Sequence, residues 1–379
     1  MLKWILAVMI TFALSAVSLK WLAEPFVWIF GFLFLLCLVS AAWCRRSAVR
    51  AAAVNAGVVF LGLALFELYL TLSASSPFHL DRQSDKPYSV LHPVLGYRPS
   101  PDNRVISRRT HGGEPVYDAV YTFDSRALRI SPPAAPDGIA GSILFFGGSY
   151  TFGYGVNDDE TLPYQTGLKT GGRYRVENFG FEGYGPHQML AALESGLVDS
   201  LAQKPVLHVV YQAIYGHVKR VTGRAEWDRS GPRYEIRDGE AVFAGRFDQV
   251  ETGKWRVLWE RNLAKFRIGQ RIRQRGIPFN SRDIDLFAAI VDRARGICRR
   301  KYPTSTFTVL FWDETGVDVC QEIIEKLRKR NLNVVLLSGV LPELEKNDGL
   351  PLRLGPRDRH PNSETHARLA EFLIRHLDL

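Results

Sequence analysis

From Gly141 to the C-terminus, short apolar runs alternate with longer amphipathic stretches. This alternation constrains the fold of the 379-residue chain more than any other feature. The apolar runs are Ile143–Phe146, Tyr174–Phe179, Val206–Tyr211, Phe307–Phe311 and Asn333–Leu337. Each has the length and composition of a buried strand. Between them the spacing predicts helices over Glu160–Lys169, Pro186–Gln203, Asp283–Arg300 and Asp318–Arg330, and a last helix from about Asn362 to His376. Strands joined through helices pair in parallel and are covered on both faces. The expected fold class is therefore α/β, a three-layer α/β/α sandwich around a mostly parallel sheet of these five strands. Residues 220–282 interrupt the pattern as an insertion. Within it, Tyr234–Phe243 reads as a hairpin turning at Asp238-Gly239, and Trp255–Arg275 as a basic helix.

Ahead of this domain lie the apolar stretches Trp4–Leu19, Pro25–Cys44 and Ala51–Leu72. The second and third have the length of bilayer-crossing helices, and the first reaches it by extending through Trp21-Leu22. Lys3 precedes the first stretch, and Arg45, Arg46 and Arg50 lie between the second and third. The excess of Lys and Arg on cytoplasmic loops puts these residues inside, and everything after about Ser73 outside. Residues 1–73 are thus expected to be a membrane anchor of three transmembrane helices. There are two if the first stretch is a signal peptide cleaved at Ala13-Leu-Ser-Ala16, and the downstream domain lies outside either way. Residues 74–140, rich in Pro, Ser and Arg, read as a small β attachment and linker. His92–Pro99 and Tyr117–Asp124 are its strands around a polar loop, and Ser131–Pro136 is a stiff connector.

The net charge of +9 suits an anionic surface. Arg267, Arg271, Arg273, Arg275, Arg299 and Arg300 lie in a basic run from Arg261 to Lys301. It reads first as a solvated helix face and second as a contact for anionic lipid headgroups or polysaccharide. A domain outside the cytoplasm meets no nucleic acid. The four cysteines form no disulfide framework, and Cys298 and Cys320 read as core residues. No metal-ligand spacing, P-loop or dinucleotide fingerprint is present, so no metal and no cofactor are expected.

The first strand runs into Gly147-Gly148-Ser149-Tyr-Thr-Phe-Gly153-Tyr-Gly155. Glycines allow a sharp turn that holds the Ser149 hydroxyl at the carboxyl edge of the sheet, where open α/β folds bind ligands. The plain alternative is a βα turn whose serine caps the helix. After the second strand comes Asn178-Phe-Gly-Phe-Glu-Gly183-Tyr-Gly-Pro186, which reaches the same edge. A glycine there can present its backbone N–H to an oxyanion. Before the last helix stands Asp358-Arg-His360-Pro-Asn362, in which an aspartate two residues away orients an imidazole able to take the Ser149 proton.

Taken together, these blocks resemble the SGNH, or GDSL-type, hydrolase superfamily over about residues 140–375, and its membrane-attached bacterial members in particular. Glycine stands at 148 where the first block has aspartate, and Asp358 lies two residues before His360 where the family has three. The resemblance implies Ser149 as nucleophile, His360 as base and then acid, Asp358 as its orienting carboxylate, and an oxyanion hole from Ser149 and Gly183. The family's third block, an Asn-Asp pair, is missing. Gly216-His217 falls at its place, and His217 or Gln212 is the side-chain donor expected to substitute, unless backbone N–H groups suffice. The implied activity is a serine-dependent esterase acting on acyl esters, of lipid or glycan, at the outer face of the cytoplasmic membrane. The alternatives are an acyltransferase modifying an envelope polysaccharide and a non-catalytic glycan-binding or scaffold protein.

Overall fold

Seven consecutive residues of the strand entering the serine turn are buried, which only a central strand covered on both faces achieves. The computed structural model describes residues 25–73, 80–136, 138–203, 205–250, 280–313, 318–345, 351–355 and 358–379. They divide into an N-terminal helical unit and a second unit, residues 79–250 with 279–379.

In the first unit, helices Pro25–Trp43 and Ser47–Ser73 pack together, with Phe30 and Phe60 ring centroids 6.5 Å apart. Ser47–Leu70, of mean hydropathy 1.9, is long and apolar enough to cross a membrane, whereas Val27–Trp43 is apolar but shorter. The stretch Trp4–Leu19 and the basic helix expected at Trp255–Arg275 lie outside the described residues.

The strands of the second unit, in chain order, are β1 (Leu80–Ser84), β2 (Ser89–His92), β3 (Gly96–Pro99), β4 (Asn103–His111), β5 (Glu114–Phe123), β6 (Gly141–Gly147), β7 (Tyr174–Asn178), β8 (Val206–Ile214), β9 (Pro232–Arg237), β10 (Glu240–Arg246), β11 (Thr306–Trp312), β12 (Asn333–Leu336), β13 (Arg353–Gly355) and β14 (Asp358–Pro361). The five expected core strands form one parallel sheet in the order β12-β11-β8-β6-β7. Alternate residues point to opposite faces. Leu144, Phe146, Val209 and Tyr211 pack on one side with Ile284, Phe287 and Ile323. Ile143, Phe145, Val210 and Leu310 pack on the other with Leu162, Leu369 and Leu373. Helices Pro186–Glu194, Ser281–Lys301 and Asp318–Lys329 cover the first face, and Leu162–Lys169 and Ser363–His376 the second. This is the α/β/α sandwich expected from the sequence.

Three elements differ. The helix expected over Pro186–Gln203 breaks at Ser195-Gly196, because Gly196 takes φ +77 and ends it before Leu197–Leu201. The polar loop expected between the strands of residues 74–140 contains β4, which pairs with β1 and β5 in an antiparallel sheet. Its inner positions Val105 and Ser107 are fully buried while Arg108 pairs with Asp118 outside, so its polar composition is that of a one-faced strand. His92–Pro99 is itself the turn and second strand of the β2–β3 hairpin.

Candidate active site

The sheet order reverses between β6 and β8, which run out side by side, β7 lying beyond β6 and β11 beyond β8. A crevice forms at such a point beyond the carboxyl ends of the strands. Ser149 enters it on the first turn of the short helix Ser149–Phe152. The Gly147-Gly148 turn is obligatory. A Cβ at 147 would stand 2.1 Å from Thr151 Oγ1, and one at 148 would stand 2.5 Å from Arg220 Nη1 and 2.9 Å from the Tyr184 carbonyl. Beneath the turn, Thr151 Oγ1 donates to Gln212 Oε1 (2.9 Å), and Arg129 donates to the Phe152 and Gly153 carbonyls at the helix end.

Ser149 Oγ lies 2.9 Å from His360 Nε2. His360 Nδ1 lies 2.6 Å from Asp358 Oδ1, which also accepts the His360 backbone N–H at 3.0 Å. The imidazole is fixed from the side by the Tyr154 ring, 4.3 Å between centroids, and by the edge of Tyr150, whose hydroxyl donates to the Arg359 carbonyl. Asp358 is only 4% exposed. Burial pushes its carboxyl pKa up, but the hydrogen bonds and charge of His360, with Arg109, outweigh burial and hold it below the ordinary value. Arg109, on β4, donates to Asp358 Oδ2 at 2.6 Å. No feature near residue 109 in the sequence marks it, since an arginine in a polar strand has no local signature.

Gly183 occupies the loop after β7 at φ +77, in a turn closed by the Tyr184 N–H on the Phe181 carbonyl. A Cβ there would stand 2.4 Å from both Trp227 Nε1 and Tyr97 Oη. Among the described residues, neither the Ser149 nor the Gly183 backbone N–H has a hydrogen-bond acceptor. Both residues line a cleft of about 840 Å³, together with His360, Arg220, Trp227, Tyr97 and Tyr154. The β2–β3 hairpin supplies part of the wall through Ser89, Leu91, Gly96 and Tyr97. A second cavity of about 40 Å³, behind Phe146 and Met189, includes neither Ser149 nor His360 and is too small for a substrate.

The two stand-ins expected for the missing asparagine sit differently. Gln212 is buried under the serine turn, its oxygen taken by Thr151. His217, on helix Gly216–Val221, is buried behind Gly148, its Nε2 3.1 Å from where a Cβ at 148 would stand. Its Nδ1 is 2.6 Å from the Tyr211 hydroxyl. Burial, with Arg220 and His187 nearby, holds this imidazole well below its ordinary pKa and therefore neutral. When Tyr211 donates to Nδ1, the proton sits on Nε2, toward Gly148.

No protein-family model and no curated protein matches the sequence. Among solved structures, the chain is similar to a proposed lipolytic protein of the G-D-S-L family from Desulfitobacterium hafniense DCB-2, with 13% identity, 62% of this chain and 98% of that one covered, and a TM-score of 0.35. It is similar to a proposed GDSL-like lipase from Parabacteroides merdae ATCC 43184, with 14% identity over 66% of this chain and 99% of that one, and a TM-score of 0.37. It is also similar to the acetyl xylan esterase Est2A from the rumen bacterium Butyrivibrio proteoclasticus, with 11% identity over 66% and 65% of the two chains, and a TM-score of 0.37. The parallel β12-β11-β8-β6-β7 sheet, sandwiched by helices and carrying the serine turn after β6, gives this domain a three-layer α/β/α fold.

Proposed function

We propose that the chain is a serine-dependent esterase acting on acyl esters. The carrying observation is the continuous hydrogen-bonded line from Ser149 Oγ through His360 to Asp358, opening on a cleft. Ser149 Oγ attacks the acyl carbon while His360 Nε2 takes its proton. Asp358 keeps the Nδ1 proton in place and stabilises the imidazolium. The carbonyl oxygen gains the electron pair and is met by the Ser149 and Gly183 N–H groups. The intermediate collapses, the ester C–O bond breaks, and the alcohol leaves with the proton from His360. Water, activated by the same imidazole, then releases the acid.

The apolar helix Ser47–Leu70 supports attachment to the cytoplasmic membrane, and the Arg45/Arg46/Arg50 cluster supports a catalytic domain on its outer face. An aromatic-walled cleft beside a membrane suits a lipid or glycan ester.

The test uses the full chain in detergent micelles. A fluorophosphonate is expected to label Ser149, with labelling abolished in Ser149→Ala and sharply reduced in His360→Ala, and p-nitrophenyl acetate is expected to be hydrolysed. Transfer of the acyl group to an added soluble glycan faster than release of free acid would replace the esterase with an acyltransferase. No label and no turnover would leave a non-catalytic glycan-binding or scaffold protein.

A further inference from the structure

Arg220 lies one turn beyond His217 on the same short helix, and its guanidinium reaches the two residues that flank Ser149 and Gly183. Nη1 donates to the carbonyl of Tyr184, which follows Gly183, at 2.5 Å. The same Nη1 lies 2.5 Å from where a Cβ would stand on Gly148, which precedes Ser149. The guanidinium therefore bridges the loop after β6 and the loop after β7, on the wall of the cleft that holds Ser149, Gly183 and His360.

A guanidinium carries five N–H donors. The bond to Tyr184 uses one, and no carboxylate among the described residues forms an ion pair with Arg220. The nearby Asp228 takes His187 (2.6 Å) and Gln188 (2.9 Å) on Oδ2, while its Oδ1 has no hydrogen-bond partner among the described residues and makes none with Arg220. The Trp227 ring, 5.9 Å from Cζ, shields the cation on another side. Burial pulls the Arg220 pKa down, while Tyr97, Tyr211 and Asp228 oppose it. A half-buried charge without a partner is costly until an anion arrives. Glycine at 148 leaves the guanidinium its room, and an aspartate there would bring a carboxylate onto it.

Resting on the esterase reading above, we infer that Arg220 is a catalytic donor of the oxyanion hole, supplying from the helix after β8 the side-chain contact that the missing third-block asparagine would make. When Ser149 Oγ bonds to the acyl carbon, the carbonyl electron pair moves to oxygen and the serine proton moves to His360. The guanidinium meets the new negative charge next to the Ser149 and Gly183 N–H groups. The site then favours the tetrahedral state over the bound ester, so the effect belongs in kcat.

The experiment compares wild type, Arg220→Gln and Arg220→Lys, as full chains in detergent micelles. The substrates are neutral p-nitrophenyl acetate and anionic mono-p-nitrophenyl succinate. Thermal melting checks the fold. If the Gln variant melts early, Arg220→Met, which keeps the packing of the stem, carries the comparison. The expected result is a loss in kcat of about 100- to 1000-fold on both esters, with KM within a few-fold and partial recovery in Arg220→Lys. Unchanged kcat on the neutral ester, with wild-type turnover and Ser149 labelling intact, would overturn the role of Arg220 alone. A loss confined to KM for the succinate ester would also overturn it, making Arg220 a binding site for a substrate anion. A wild-type chain with neither turnover nor label would overturn the esterase reading and this role with it.

Discussion

Arg109→Ala removes the only partner of Asp358 Oδ2 seen among the described residues, and its consequences follow from the geometry. The pair is 2.6 Å apart, with the arginine side chain 18% and the aspartate 2% exposed. Removing one member of a buried ion pair costs about 3–5 kcal/mol when the remaining charge has no other partner. Here Asp358 keeps two hydrogen bonds from His360, both on Oδ1, so the smaller range for a lost charged hydrogen bond applies, about 1.5–3 kcal/mol. For a domain of this size that corresponds to a fall in melting midpoint on the order of 5 °C. The pH dependence has a definite sign. The folded pKa of Asp358 is depressed, so its contribution to stability is present above the ordinary carboxylate pKa and is lost as pH falls through the depressed value. Without Arg109 that value rises and the loss begins at higher pH. The assay is thermal melting of wild type and Arg109→Ala in detergent from pH 7 down to pH 3, with ester turnover followed in parallel. The gap between the two is expected to be widest near neutral pH and to close in acid, with the acid limb of kcat/KM shifted upward. A constant gap across the range, or none at pH 7, would refute the assignment of Arg109 as the residue that holds Asp358.

Gly183→Ala is expected to lose about 100-fold in kcat, because φ +77 costs alanine about 1–2 kcal/mol and its Cβ would stand 2.4 Å from Trp227 Nε1 and Tyr97 Oη; wild-type turnover would show that this N–H takes no part. Arg129→Met should destabilise the α/β domain by about 3–5 kcal/mol, since the fully buried guanidinium serves the carbonyls of Phe152, Gly153, Val156 and Val120 as well as Asp158. An unshifted melting midpoint would contradict that. A phosphatase fused after Ser73 is expected to be active and a cytoplasm-only reporter silent, and the reverse pattern would place the domain inside the cell.

The elements of the site were unequally legible. Ser149 announced itself because a strand ending in two glycines and a serine is a local pattern, and Asp358 and His360 because they lie two residues apart. The loop after the second strand was legible from its place, and Gly183 within it from the resemblance of that block to the SGNH type. Arg109 and Arg220 were not legible. Arg109 meets Asp358 across 249 positions, through a strand whose polar outer face resembled a loop. Arg220 stands in a helix whose last turn holds Lys219 as well, so nothing local distinguishes the residue that faces the cleft.

The sequence by itself determined the order and kind of the core elements. The two-residue repeat of a strand, the 3.6-residue repeat of a helix and the glycines of a turn are local properties, fixed by backbone geometry and by burial of one face or both. Only the tertiary structure decided which residues meet. Sheet order brought the ends of β6 and β8 together, the β2–β3 hairpin became a wall of the cleft, and β4 delivered Arg109 to Asp358. Such contacts depend on strand order and register between segments far apart in the chain, and on side chains filling one common core. No local periodicity carries that information.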